Sequence, residues 1–131
     1  MNILVVEDDT TDMKLFHVIL TSSGHVVSGE GSAEDAIDAI RRGHPEVILL
    51  DLKLPGKDGL ALTRRLKADP ETRDIPIIAI TAAGETFGRE EALAAGCAAY
   101  IRKPVDTRTL NDDVVRVAGN ATAARGKEPG P

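Results

Sequence analysis

Residues 46–59 read EVILLDLKLPGKDG, and in them an apolar run, Val47, Ile48, Leu49 and Leu50, stops at a single acid, Asp51. The run is aliphatic and β-favouring, too short for a helix bounded this way, and it lacks the polar alternation of a half-exposed strand. It reads as the central strand of a parallel sheet, buried on both faces. Pro55, Gly56 and Gly59 follow closely, so the chain turns before the next helical pattern begins. Asp51 therefore stands at the carboxyl end of a buried strand, the edge of an open α/β sheet where ligands bind.

Outward from this strand, similar apolar runs recur. NILVV at 2–6 ends in three acids, Glu7, Asp8 and Asp9, while 25–28 and 98–102 read as shorter strands. IPIIAI at 75–80 ends at Thr81 and tolerates Pro76 only near its start. Helical spacing fills the intervals. Thr10 or Thr11 is expected to cap a first helix carrying Leu15, Phe16, Val18, Ile19 and Leu20, with Gly24 as its stop. Ser32 opens a second helix with Ala33, Ala36, Ile37 and Ile40 inward, ended by Gly43. Leu60, Leu62 and Leu66 mark a third, broken at Asp69 and Pro70; residues 89–95 form a modest fourth between glycines that suggest mobility, after a small-residue loop. Asp106 or Thr107 is expected to cap a last helix with Leu110, Val114 and Val117 facing inward.

Five strands alternating with five helices predict a doubly wound α/β domain: a five-stranded parallel sheet of order 2-1-3-4-5, flavodoxin-like, in three α/β/α layers. Residues 1–118 make this one domain. Residues 119–131, turning to Gly, Ala, Asn and Pro, are expected to form a flexible tail.

Totals narrow the function. A chain of 131 residues suits one core, and 2% aromatics make that core aliphatic. A net charge of -5 with scattered basic residues argues against a nucleic-acid surface. The lone Cys97 excludes an internal disulfide and reads as a small core residue; His17, His25 and His44 lack metal-ligand spacing. No apolar run approaches a membrane span and no signal-peptide pattern is present, so a cytoplasmic protein is expected.

The strand ends collect Glu7 and Asp8, Asp51, Thr81 and Lys103 on one sheet edge. Neighbouring carboxylates raise one another's pKa unless a cation joins them, which predicts a hard-cation site of the Mg2+ type with positions left for a phosphoryl oxygen. An ionised Asp51 can attack phosphorus, with Lys103 as a point charge and the Thr81 hydroxyl as a donor to phosphoryl oxygens. Each residue alone has a plainer reading: Asp51 a loop or capping acid, Lys103 a surface lysine before Pro104, Tyr100 a strand aromatic. Asp9 reads as a loop or first-turn acid rather than a metal ligand.

Taken together, ILVVEDD, LLDLKLPGKDG, ITA and YIRKP, in this order and spacing, resemble the receiver domain of two-component response regulators over residues 2 to about 118. DMKLF in the first helix, with no output domain, is similar to single-domain, DivK-like members. The resemblance implies phosphorylation of Asp51 by a sensor histidine kinase or histidine phosphotransfer protein. It further implies Mg2+ held by Asp8, Asp51 and the backbone carbonyl of Lys53, with Glu7 acting mainly through water. Thr81 and Tyr100 would be a switch pair that remodels the face of the fourth helix, fifth strand and fifth helix for a downstream protein. The Lys103–Pro104 bond would be cis. Such a protein is a switch rather than a turnover enzyme, with no nucleic-acid or membrane partner. Lys53 and Ala83 depart from common family choices; neither supplies a base for water, so a long-lived phosphorylated state is expected. Three rivals remain. An Asp-nucleophile phosphatase needs an acid two residues after the nucleophile, where Lys53 stands; a nucleotide-binding module needs a Gly-rich loop after the first strand, where acids stand. A degenerate receiver would bind partners without phosphorylation.

Overall fold

The computed structural model describes residues 1–54, 57–82 and 88–126, with residues 57–58 and 122–126 as backbone only. Five parallel strands, β1 (Asn2–Val6), β2 (Val26–Glu30), β3 (Val47–Asp51), β6 (Ile77–Thr81) and β7 (Ala99–Arg102), form one sheet in the order β2-β1-β3-β6-β7. Among the strands of that sheet this is the expected 2-1-3-4-5. A small antiparallel pair, β4 (Lys53–Leu54) with β5 (Lys57–Asp58), is inserted after β3 and was not foreseen. Five helices complete the layers: α1 (Thr10–Ser22), α2 (Ala33–Arg42), α3 (Gly59–Ala68), α4 (Arg89–Ala95) and α5 (Leu110–Gly126).

The central strands are continuous apolar runs because successive side chains enter opposite layers. Leu4, Val6, Ile48 and Leu50 pack on the side of α2 and α3, with Leu60, Leu62 and Leu66. Ile3, Val5, Val47 and Leu49 point the other way, toward Phe16 and Leu20 of α1 and Leu110, Val114 and Val117 of α5. Aligned register brings the strand ends together: Val6 lies opposite Leu50, Asp51 opposite Ile80, and Thr81 opposite Arg102.

Local chemistry moves several expected boundaries. Asp9, not Thr10 or Thr11, caps α1, its extended backbone letting the carboxylate accept the Asp12 N–H at 2.9 Å. Only Phe16 and Leu20 of that helix are fully buried; Leu15 and Val18 lie on the neighbouring stripe, and Val18 is 60% exposed. Gly24, at φ 93°, takes the left-handed conformation that ends the helix. β6 begins after Pro76, which has no N–H for the ladder but whose carbonyl accepts the Ile48 N–H at 3.0 Å. Ser32 caps α2 as expected, its hydroxyl accepting from the Asp35 N–H. Asp106 accepts the Arg108 N–H on its carboxylate at 2.9 Å and the Leu110 N–H on its carbonyl at 3.1 Å, so it caps the turn that runs into α5. α5 also continues to Gly126, past the expected start of a flexible tail at 119, because Ala121, Ala123 and Ala124 favour helix enough to carry it through Gly119. Residues 127–131, and 83–87 of the expected loop before α4, lie outside the described residues. The Lys103–Pro104 bond is cis. Among the described residues no helix is long and apolar enough to cross a membrane.

Candidate functional site

Four of the five strands deliver their ends to one cleft. The Glu7 N–H donates to the Glu30 carbonyl at 2.9 Å, so the chain leaves β1 still tied to the sheet and the Glu7 side chain stays buried, 3% exposed. Asp51 closes β3 at 7% exposure, and the Lys53 N–H donates to its Oδ1 at 2.9 Å. The Leu52 N–H reaches the Ile80 carbonyl and the Gly59 N–H the Leu52 carbonyl, at 2.9 and 2.7 Å, holding the turn shut. Gly59 is required there: a Cβ would stand 2.6 Å from the Leu52 Cα and 2.8 Å from the Asp51 carbonyl oxygen. On the far side the Lys103 N–H donates to the Thr81 carbonyl at 2.7 Å, which aims its side chain back across the sheet edge.

The Lys103 ammonium is the centre of the site. Its Nζ lies 2.8 Å from Glu7 Oε1, 2.8 Å from Asp12 Oδ2 and 3.1 Å from Asp51 Oδ2. The contacts to Asp12 and Asp51 are hydrogen bonds; that to Glu7 has the distance of an ion pair but not the direction of a hydrogen bond. Carboxylate oxygens of Glu7, Asp8 and Asp51 come within 4.8 Å of one another, with Asp8 exposed. Burial, then the carboxyl of Asp51 beside it, pushes the Glu7 pKa up to about 7, against the opposing pull of Lys103 and of the Asp9 N–H. For Lys103, burial alone favours the neutral amine, but Asp12, Glu7 and Asp51 together outweigh it and raise the pKa. The result is a cation among acids of which one holds its proton near neutrality. The cleft, about 710 Å3, is also lined by Lys53 and Ala82.

Glu7, Asp8, Asp51 and Lys103 are thus assembled as expected. Thr81 and Tyr100 are not in the cleft wall. The Thr81 hydroxyl is buried and has no hydrogen-bond partner among the described residues, while Ala82 takes the lining position. Tyr100 is half-buried against the core on the side of α2, α3 and α4. Ala83 lies outside the described residues. Sequence reasoning missed Asp12, read only within DMKLF. No spacing singled it out: it stands three residues past the Asp9 cap, where an acid in the first turn of a helix is ordinary.

The comparisons with known proteins agree with this geometry. A family model described as response regulator receiver domain matches residues 3–115. The polar-differentiation response regulator DivK of Brucella ovis is 37% identical over 120 residues, 92% of this chain and 98% of that protein. The DivK protein of Brucella anthropi is 35% identical over the same shares. Among solved structures, the signal receiver domain of a histidine kinase from Syntrophus aciditrophicus superposes with a TM-score of 0.83 at 29% identity, covering 91% of this chain and 90% of that one. The receiver domain of sensor histidine kinase PA1611 from Pseudomonas aeruginosa, with a magnesium ion coordinated in its active site cleft, gives 0.81 at 33% identity, covering 90% and 97%. A doubly wound sheet, an acidic cleft at its carboxyl edge and relatives that match nearly end to end place the chain in the response regulator receiver domain family.

Proposed function

We propose that this chain is a phosphorylation-driven switch of protein interactions, with Asp51 as phosphoacceptor. The observation that carries the proposal is the juxtaposition of Glu7, Asp8 and Asp51 with the Lys103 ammonium at one strand edge. Three carboxylates at this spacing suit a divalent cation. The buried Glu7 gives up its proton most readily when another positive charge replaces it, so the donor set fits Mg2+. Asp8, Asp51 and the Lys53 backbone carbonyl would hold the ion, with Glu7 acting through water. When bound, it supplies charge neutralisation at the transferring phosphoryl group.

An Asp51 carboxylate oxygen attacks phosphorus in line with the donor bond. The P–N bond to the donor histidine breaks, its electron pair stays on the imidazole, and an aspartyl phosphate forms. Lys103 pairs with a phosphoryl oxygen. The Thr81 hydroxyl, buried without a partner among the described residues, gains one by turning to the phosphoryl group, and the Tyr100 ring shifts in step with it. The surface of α4, β7 and α5 then changes for a downstream protein. Residues 1–118 suffice for this cycle, the donor is a sensor histidine kinase or histidine phosphotransfer protein, and the work is cytoplasmic signalling without nucleic acid or membrane. Lys53 at the cleft mouth supplies no base for water, which favours a long-lived aspartyl phosphate.

Acetyl phosphate with Mg2+ tests the reading by intact mass. One phosphoryl group per chain is expected, absent in Asp51→Asn and after chelation. Repeated turnover, with phosphate released many times per chain, would instead identify an Asp-nucleophile phosphatase. No modification would leave a degenerate receiver.

A further inference from the structure

An ammonium has three protons, and around Lys103 three carboxylate oxygens already lie within 3.1 Å. Two of them, on Glu7 and Asp51, belong to the acidic cluster, where a cation or a phosphoryl group at Asp51 would take over their charge. The third, on Asp12, stands apart from that cluster. Asp12 sits in the first turn of α1, its backbone N–H held by the Asp9 cap at 2.9 Å, so its position is set by the helix rather than by the cleft. It is a third exposed and lines the opening.

We propose that Asp12 is a positioning residue that holds Lys103 on the α1 side of the cleft and competes with an incoming phosphoryl oxygen for its ammonium. The inference rests on the phosphoacceptor reading above and adds a residue to it. A carboxylate 2.8 Å from the ammonium offsets the charge of the half-buried Lys103 and repels an anionic phosphodonor entering beside it. Glu7 and Asp51 lose their hold on Lys103 as the site loads; Asp12 does not. An incoming phosphoryl oxygen therefore has to displace Asp12 from the ammonium, at least in part, before Lys103 can pair with it. Asp12 thereby sets how readily an anion binds, while the nucleophile and the metal-holding carboxylates are untouched.

The test uses the full chain with Mg2+ and acetyl phosphate, following phosphorylation of wild type, Asp12→Asn, Asp12→Ala and Asp12→Glu over a range of donor concentrations. The half-saturating donor concentration is expected to fall roughly threefold or more in the Asn and Ala variants, with the rate at saturation changed less. The Glu variant is expected to return toward wild type. Beryllium fluoride, an anion that needs no chemical step, is expected to bind more tightly to the same two variants. A side chain that merely supports the helix would lower the unfolding midpoint without moving either concentration. Unchanged or weaker donor binding in both Asn and Ala variants, with the wild type phosphorylated, overturns this inference alone; a wild type that accepts no phosphoryl group overturns the phosphoacceptor reading instead.

Discussion

Glu7 is the residue whose protonation follows from its surroundings most directly. Its pKa rises from 4.5 to about 7 because the carboxyl is buried and faces Asp51. Between those values the folded chain keeps a proton that the unfolded chain has released, so without metal this group's contribution to stability is fully present below pH 4.5 and is lost as pH rises through 7. The loss attributable to this group is on the order of 3 kcal/mol, and Glu7→Gln is expected to remove it. Urea midpoints of the two proteins measured in chelator from pH 5 to 8 check this; parallel curves would refute it. Lys103 holds the same acids from the other side. In Lys103→Met the acids of the cleft lose their cation, and the apo protein is expected to lose about 3 kcal/mol at pH 8, measured by urea denaturation and partly restored by Mg2+. The acids and the lysine were readable in the sequence because each ends an apolar run. Asp12 was not, since it lies inside a helix where an acid near the amino end needs no special explanation. The resting positions of Thr81 and Tyr100 were equally illegible, because rotamer and packing carry no sequence pattern.

Among the elements, the turn from β3 into α3 does most to shape the site. Gly59 allows α3 to begin against the Asp51 carbonyl and Leu52, and a methyl group there collides with backbone that cannot move without shifting Asp51. Gly59→Ala is therefore expected to cost about 2 kcal/mol or more and to slow phosphorylation of Asp51. Gly119 gives the opposite case: nothing lies within 4 Å of its would-be Cβ, and it sits inside α5. Gly119→Ala is expected to stabilise by about 0.5–1 kcal/mol with phosphorylation unchanged, both read from urea curves and a labelling time course. Such contrasts explain which elements the sequence disclosed. β1 and β3 fall where the hydrophobic pattern predicts and α4 between its bounding glycines, whereas the cap of α1 and the end of α5 depend on competition between adjacent residues: Asp9 against Thr10, and the alanines against Gly119. The β4–β5 pair gave no signal, each strand being only two residues long.

For the whole molecule, the order 2-1-3-4-5 sets β1 beside β3 so that two acid-bearing strand ends adjoin. The fold thus brings the charges together and hydrophobic burial on both faces of the sheet holds them there. A divalent ion that binds only the folded chain is expected to raise the unfolding midpoint, and more so above pH 7 than below it, as Glu7 sheds its proton. The most direct test is to locate the phosphoryl group. After treatment with acetyl phosphate and Mg2+, borohydride reduction converts an aspartyl phosphate to homoserine, and peptide mapping finds its position. Homoserine at Asp51 alone is the expected result; homoserine at Asp8 or elsewhere, or at no position in protein kept in Mg2+ and phosphodonor, would contradict it.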